Sequence, residues 1–265
     1  MTKPTASAGP RRLADVGFHA GELAVQQRAG TREEAVSPTT LAIHAGLPAG
    51  DPLHGLPAGQ PAGLVVVEFA ARRRVRVNGT LTAIGDGTLV MEVEQAYGNC
   101  PQYIHQRVLG QASTGQGGQG DVRRDAVLSA ADARLIRAAD TFFLGTTNPE
   151  RGSDTSHRGG TPGFVRVDRD RLWWPDYPGN NLFNSFGNLA VDPEASLLFA
   201  DFDTGSTLQL SGTAEVDWAA AGRPGDDGHT GRRAVFTLER LAAGHLLPSR
   251  QVAHSPYPRN PALTD

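Results

Sequence analysis

Two neighbouring stretches of the chain carry residues suited to binding an anion. His157 and Arg158 are followed directly by Gly159 and Gly160. Cationic side chains beside glycines can bring both charge and backbone N–H groups close to a phosphate. Downstream, three uncharged donors lie near the start of a predicted helix: Asn180, Asn184 and Ser185. A helix start favours anions, so the two stretches predict an anion site. The alternative is an ordinary loop with solvated cations beside a capped helix.

The segments that must position these residues are mostly strands. Apolar or alternating runs, rich in aromatic and β-branched residues, predict strands at 141–147, 164–167, 172–174, 197–202 and 207–216. The polar residues 156–163 are predicted to form a loop between the first two. Apolar residues at 182, 183, 186 and 189 predict a short helix that Asn180 caps and that ends before Pro193. This segment therefore predicts a mainly β domain with short helices.

An internal repeat indicates two related halves. The run 64–69 matches the run 197–202 at an offset of 133 residues, and the same offset places Gly79 on Gly212. Such a long period indicates a duplicated domain and not a solenoid. The first half lacks counterparts of the strand at 141–147 and of the His-Arg-Gly-Gly stretch. We therefore expect an incomplete N-terminal copy at 1–109, a Gly/Gln-rich linker at 110–126, and a complete C-terminal copy with its tail at 127–265.

The remaining sequence signals predict local elements. A helix is expected at 129–139, where Ser129 and Asp132 form a capping-box-like start. A helix at 18–28, a turn at Asn78-Gly79 and a short helix at 97–104 are also expected.

Composition excludes several mechanisms and partners. The chain has one cysteine, Cys100, so intrachain disulfides and thiolate zinc or iron–sulfur sites are excluded. Its one lysine, Lys3, lies in a polar tail, which argues against a pyridoxal phosphate Schiff base. The net charge of −3 argues against a general nucleic-acid binder. No apolar run reaches the roughly 18 residues of a membrane span, and the start lacks a signal-peptide core, so we expect no membrane partner and a cytoplasmic location.

Other motifs are better explained by structure than by chemistry. The stripe Arg72, Arg74 and Arg76 lacks neighbouring aromatic residues, so a charged sheet face or a contact with the other repeat is favoured over nucleic-acid binding. The GxGxxG match at 115–120 has no preceding strand. The eight histidines show no close ligand spacing, so no metal site is predicted. Cys100 is expected to be a buried structural thiol. No catalytic residue is assigned.

At this point several motifs together resemble a known family. They are residues 140–143, 156–164, 175–180, 187–189 and 197–212. This set is similar to the flavin-binding split barrel of the pyridoxamine 5'-phosphate oxidase superfamily, in its branch of predicted flavin-nucleotide-binding proteins. Parts of the first half, at 18–26, 72–79 and 97–104, resemble the same branch. The resemblance implies a Greek-key split β-barrel with short helices, in tandem copies of which the N-terminal one is shortened.

The resemblance also implies a cofactor and its site. It implies FMN, or a deazaflavin, bound at the seam between two barrels, with a phosphate site that in the superfamily often uses arginine or lysine from the helix. Here Asn184 and Ser185 occupy those positions, so His157, Arg158 and Arg166 are the candidate charges. The full set of implied cofactor-binding residues is His157, Arg158, Gly159, Gly160, Phe164, Arg166, Asn180, Asn184, Ser185 and Asn188.

The expected function is FMN-dependent oxidoreduction of a small-molecule substrate, for which an electron donor is also expected. A homodimer is one expected arrangement of the chain. Two alternatives stay open. One is a non-catalytic flavin-, deazaflavin- or haem-binding module, and the other is an interaction protein that has lost its cofactor.

Overall fold

The computed structural model describes residues 32–44, 57–85, 87–111, 122–245, 247 and 249–264. The predicted helix at 18–28 and most of the predicted linker lie outside these residues. The expected mainly β fold is confirmed, because the described elements are antiparallel strands and two short helices.

The N-terminal half forms a five-stranded antiparallel sheet. Its strands are β1 (Arg32–Ala35), β2 (Thr40–His44), β3 (Gln60–Glu68), β4 (Arg73–Gly85) and β5 (Thr88–Gly98). They are ordered β1-β2-β5-β4-β3 across the sheet. One face buries a cluster that includes Ile43, Leu64, Leu81, Leu89 and Met91. Burial of these aliphatic side chains gives the sheet a core of its own.

The C-terminal half forms an eight-stranded sheet and carries both helices. Its elements are β7 (Arg123–Asp125), α1 (Ala130–Ala138), β8 (Thr141–Asn148), β9 (Gly152–Gly159), β10 (Arg166–Asp168), β11 (Arg171–Pro175), α2 (Asn184–Leu189), β12 (Glu194–Ala200), β13 (Thr207–Asp217) and β14 (Arg233–Gly244). The strand order is β10-β11-β14-β13-β12-β8-β9, and β7 also pairs with β14. Its core is rich in aromatic residues, with Phe142 in contact with Phe164, Trp174 and Phe199. The predicted capping box of α1 is confirmed.

A third, two-stranded sheet joins the end of the N-terminal half to the C-terminal tail. Strand β6 (Gln106–Gln111) pairs antiparallel with β15 (Ser249–Ser255). This pairing brings the C-terminal tail against the start of the predicted linker at 110–126 and the residues just before it. The division of the chain into domains therefore stays a prediction.

The two copies of the predicted repeat form hairpins with the same register. Leu64 pairs with Val77 in the first hairpin, and their counterparts at the 133-residue offset, Leu197 and Leu210, pair in the second. A bulge follows in each case, immediately before Gly79 and Gly212, against β5 and β14 respectively. A Cβ at either glycine would lie 2.0 Å from a carbonyl oxygen of the next strand, so both positions require glycine.

Three local predictions were wrong. Asn78 and Gly79 lie inside β4, where the glycine marks a bulge and not a turn. Residues 97–104 form the end of β5 and a turn, without a helix. Residues 156–159 belong to β9 and not to a loop. This strand has small and polar residues at its buried positions 153–157, so no hydrophobic alternation marked it in the sequence.

The first sheet packs on β9 of the second. Gly63 lets the β3 backbone approach closely, because a Cβ there would lie 2.9 Å from the backbone of Asp154 and Thr155. Thr155 Oγ1 donates to the Gly63 carbonyl at 2.9 Å. Arg76 of β4 and Asp154 form a buried ion pair at 2.9 Å. Contacts with the N-terminal sheet thus give partners to the polar side chains of β9.

Candidate functional site

A cleft lies where β4, the end of β9 and the segment 175–186 meet. It has a cavity of about 90 Å³ and is open to solvent. Such a volume holds several water molecules or a small anionic group. Its lining is mixed, with arginines, aromatic rings and amides: Arg74, Arg76, Asn99, Cys100, Gln102, Tyr103, His157, Arg158, Gly159, Phe164, Trp174, Pro175, Asp176, Tyr177, Gly179, Asn180, Asn181, Leu182, Phe183, Phe186 and Arg232.

Two of the four cleft arginines come from the N-terminal sheet. Arg74 and Arg76 alternate along β4 and so share one face, which is turned toward β9. Arg74 lies 2.9 Å from Nδ1 of His157 and donates to the His157 carbonyl at 3.2 Å. Arg76 pairs with Asp154. The arginine stripe thus contacts the other half of the chain, as the second interpretation of its sequence expected.

The other two arginines share one carboxylate. Arg232 donates through Nε to Asp176 at 2.9 Å, and Arg158 lies 3.8 Å from the other oxygen of Asp176. Aromatic rings support both guanidinium groups, since Arg158 lies over Phe186 at 5.6 Å and Arg232 over Phe183 at 5.1 Å. Stacking of this kind fixes the direction of the planar guanidinium groups.

The cleft has more positive than negative charge. Four guanidinium groups are accompanied by the carboxylates of Asp154 and Asp176, which leaves two positive charges uncompensated. Burial, together with the charges of Arg76 and Arg158, lowers the pKa of Arg74 to about 10. Burial also lowers the pKa of Arg158. Both shifts come mainly from burial, and repulsion between neighbouring guanidinium groups adds to it, so a bound anion would offset both effects.

Several buried donors in the cleft have no hydrogen-bond partner among the described residues. They include Nε of Arg74 and of Arg158, Nδ2 of Asn99 and the Tyr177 hydroxyl. Burial raises the pKa of Tyr177 well above its ordinary value, so the hydroxyl keeps its proton and can donate. A ligand with several acceptor oxygens would give these groups partners.

His157 contributes hydrogen bonding and not charge. It is 3% exposed, and the rings of Phe69 and Phe143 pack against it at 6.2 and 5.7 Å. Burial and the adjacent Arg74 guanidinium hold its pKa well below the ordinary value of 6.5. The imidazole is therefore neutral at physiological pH.

Sequence comparison finds a family match within the C-terminal half. Residues 128–223 match the pyridoxamine 5'-phosphate oxidase family, and this segment is therefore similar to that family. No curated protein matches the chain.

Three solved structures of similar fold each cover less than half of this chain. HupZ of Group A Streptococcus is 11% identical over 48% of this chain and 100% of its own, with a TM-score of 0.36. A putative pyridoxamine 5'-phosphate oxidase of Lactobacillus delbrueckii is 14% identical over 44% of this chain and 94% of its own, with a TM-score of 0.36. A conserved hypothetical protein of Mycobacterium tuberculosis is 19% identical over 46% of this chain and 88% of its own, with a TM-score of 0.33.

The oxidase-like segment places half of the predicted site residues in the cleft. Those that line it are His157, Arg158, Gly159, Phe164 and Asn180. The other five have protein partners elsewhere: Gly160, Arg166, Asn184, Ser185 and Asn188. The two stretches that predicted an anion site therefore meet at the cleft, but only some of the predicted side chains line it.

Each residue outside the cleft has a structural contact that explains its position. Arg166 forms a bidentate pair with Asp227. Asn184 donates to the Tyr97 hydroxyl at 2.7 Å. Ser185 bonds to Asp154 and Ser156, Asn188 donates to Thr146, and Gly160 packs on the Phe164 ring. Gly159, which lines the cleft, must be glycine because a Cβ there would lie 2.0 Å from the carbonyl oxygen of Tyr103.

Two further expectations need correction. Helix α2 begins at Asn184 with Phe183 as its N-cap, and Asn180 accepts from the Leu182 amide at 3.2 Å in a turn before the helix. The predicted cap was therefore wrong by three residues. Cys100 was expected to be buried, but it is half-exposed and lines the cleft.

Sequence reasoning missed Arg232 and Asp176, and it assigned no binding role to Arg74 and Arg76. The alternation at 72, 74 and 76 was the only available signal for the last two. Arg232 lies 56 residues from its partner Asp176, in a part of the chain for which no strand was predicted.

No helix among the described residues is long and apolar enough to cross a bilayer.

Proposed function

We propose that the chain binds FMN in this cleft and uses it for redox chemistry on a small molecule. The observation that carries the proposal is the surplus of two positive charges among four cleft guanidinium groups. A phosphate monoester carries about 1.5 to 2 negative charges near pH 7 and three strong acceptor oxygens. Its charge therefore matches the surplus of the cleft.

The residues present fit a phosphate better than the sequence alone indicated. Neutral donors such as Asn184 and Ser185 would contribute only about 0.5–1.5 kcal/mol for each hydrogen bond, whereas bonds to charged groups contribute about 1.5–3 kcal/mol. Arg74, Arg158 and Arg232 supply the charge that the helix positions lack. The unpartnered Nε atoms of Arg74 and Arg158 are suitable donors.

The apolar part of the cleft suits an aromatic ring system. Tyr103, Phe164, Tyr177, Phe183 and Phe186 line it beside the arginines. Aromatic side chains offer apolar faces for stacking and exclude water from the ligand. Bound FMN would supply the hydride or electron transfer, while these residues would hold and shield it. Binding of a deazaflavin, the homodimer and the cytoplasmic location remain predictions.

The binding step can be tested by titrating flavins and following the quenching of their fluorescence. We expect FMN to bind more tightly than riboflavin, which lacks the phosphate. Arg158→Ala should weaken FMN binding by about 10- to 150-fold, the equivalent of about 1.5–3 kcal/mol, and should leave riboflavin binding nearly unchanged. Arg171→Ala is the matched control, because Arg171 is half-exposed and lies outside the cleft.

Equal affinity for FMN and riboflavin would overturn the phosphate assignment. The redox part needs a second measurement on the FMN complex, in which a nicotinamide donor is added without oxygen and air is then admitted. Bleaching followed by recovery of the yellow absorbance is the expected result. A complex that is never reduced would show a binding module and would refute the oxidoreductase part.

A further inference from the structure

Three potential metal ligands from distant parts of the chain meet next to the β6–β15 pair. His105 directly precedes β6, Asp140 directly precedes β8, and His254 lies in β15. The Oδ2 atom of Asp140 is 3.1 Å from Nδ1 of His105 and 3.0 Å from Nε2 of His254. The two imidazole rings are stacked, with centroids 5.6 Å apart. All three ligand atoms lie within 4.8 Å of one another.

These separations match the first coordination shell of a small divalent ion. Zinc binds histidine nitrogen and carboxylate oxygen at about 2.0–2.2 Å, so neighbouring ligands of a tetrahedral site are about 3.4 Å apart. The two observed separations from Asp140 are within a few tenths of an ångström of this value. The side chains need only small movements to accept an ion.

The hydrogen bonding of His105 also favours a ligand role. His105 is 1% exposed, and although its Nδ1 is near Asp140, it makes no well-directed hydrogen bond among the described residues. Its other ring nitrogen lies 3.1 Å from the Asn260 amide nitrogen, while Oδ1 of Asn260 is likewise buried without a described partner. With the Asn260 amide turned by 180°, Oδ1 accepts from Nε2–H, and Nδ1 keeps a lone pair for a metal.

The second oxygen of Asp140 is already held. Oδ1 accepts a hydrogen bond from the buried Arg107 guanidinium, which stacks on the rings of Phe69 and Phe202. This contact leaves Oδ2 free to act as a monodentate ligand. Metal-bound carboxylates commonly have such an outer hydrogen-bond donor, which fixes their orientation.

One side of the cluster is open. A cavity of about 290 Å³ borders Asp140 and His254 and extends to Asp201, Asp203 and Gln251. A site with three protein ligands and an accessible fourth position is the arrangement found where a metal also binds water or a substrate. The carboxylates of Asp201 and Asp203 would partly offset the positive charge that a metal ion adds beside the Arg107 guanidinium.

We propose that His105, Asp140 and His254 form a binding site for a divalent transition-metal ion, Zn²⁺ first, with the fourth position facing this cavity. Two imidazoles and a carboxylate suit zinc and also iron or manganese. The sequence predicted no metal site, because the ligands are separated by 35 and 114 residues and share no element. The proposal does not depend on flavin binding in the other cleft.

The test is a Zn²⁺ titration of the chelator-treated full chain by calorimetry, followed by Co²⁺ substitution and visible absorption. We expect saturation at one ion per chain, and visible bands for Co²⁺ bound by protein ligands. His254→Ala should weaken Zn²⁺ binding more than about 100-fold, since loss of an outer-shell partner alone costs 10–100-fold. Asn260→Ala should weaken it by about 10-fold.

The matched control is His245→Ala, which removes an exposed histidine outside the cluster. Because His254 is partly exposed, its replacement should leave the fold intact, which circular dichroism checks. The proposal is overturned if the wild-type chain takes up no stoichiometric Zn²⁺, or if His254→Ala and His245→Ala bind it equally.

Discussion

The buried carboxylate of Asp154 connects the two sheets, and its removal should destabilise the whole chain. It accepts hydrogen bonds from Arg76 at 2.9 Å and from Asn78, Tyr97 and Ser185 at 3.3 Å each. Arg76, Asn78 and Tyr97 belong to the N-terminal sheet, whereas Ser185 belongs to α2. The side chains of Arg76 and Asp154 are only 9% and 4% exposed. Asp154→Ala would leave a buried guanidinium without its counter-charge.

The size of the effect follows from that burial. Removing one partner of a buried ion pair typically costs about 3–5 kcal/mol, because the remaining charge stays buried and unpaired. Removing both charges costs much less, since no charge is left unpaired. We therefore expect Asp154→Ala to lower the free energy of unfolding by about 3–5 kcal/mol, and the double variant Arg76→Met/Asp154→Ala to recover part of that loss.

The assay is equilibrium urea unfolding of the ligand-free chain, followed by fluorescence and by circular dichroism. Glu68→Ala is the matched control, because Glu68 of β3 and Arg73 of β4 also form an ion pair, but at 54% and 74% exposure. An exposed pair contributes up to about 1 kcal/mol. If Asp154→Ala costs no more than Glu68→Ala, or if the double variant is less stable than Asp154→Ala, the account of this interface is refuted.

Two further predictions concern titration and packing. The pKa of His157 is depressed in the folded chain, so below about pH 6.5 the unfolded chain binds more protons than the folded chain. The free energy of unfolding should therefore decrease as the pH is lowered below this value, by at most about 1.4 kcal/mol per pH unit. Urea unfolding at pH 7.5 and 5.5 should show a smaller loss for His157→Gln than for the wild type; an equal loss would contradict the assignment. Gly212→Ala should destabilise by several kcal/mol, because its Cβ would lie 2.0 Å from the Thr237 carbonyl oxygen. Gly187→Ala, at an open helical position, should instead stabilise by about 0.5–1 kcal/mol, and thermal melting distinguishes the two.

Strands with apolar alternation and helices with capping residues could be predicted from the sequence. The capping box at Ser129 and Asp132 depends on contacts three residues apart, so it is visible in the sequence. Strand β9 was missed for the opposite reason. Its residues 153–157 are polar or small, and their burial is possible only because β8 and the N-terminal sheet provide hydrogen-bond partners. That support comes from residues more than 70 positions away in the cases of Arg76 and Gly63.

The candidate site divides in the same way. His157 and Arg158 could be proposed from the sequence because basic residue types beside glycines form a local signal. Arg232 was not found, because its role comes from Asp176 and from the ring of Phe183, both distant in sequence. The cluster of His105, Asp140 and His254 is the clearest case, since strand pairing between β6 and β15 is what brings its histidines together.

A comparison of the two hairpins shows why the positive charge of the cleft comes from both halves of the chain. At the 133-residue offset, Val77 and Gly79 match Leu210 and Gly212, so the positions that build the hairpin are alike in both. Arg74, however, corresponds to Thr207 in the second hairpin, and the position of Arg76 likewise carries an uncharged glutamine. Only the N-terminal hairpin therefore presents guanidinium groups on the face that meets the other half. Of the four cleft arginines, Arg158 alone lies within the oxidase-like segment 128–223, so most of the positive charge of the cleft comes from residues outside that segment.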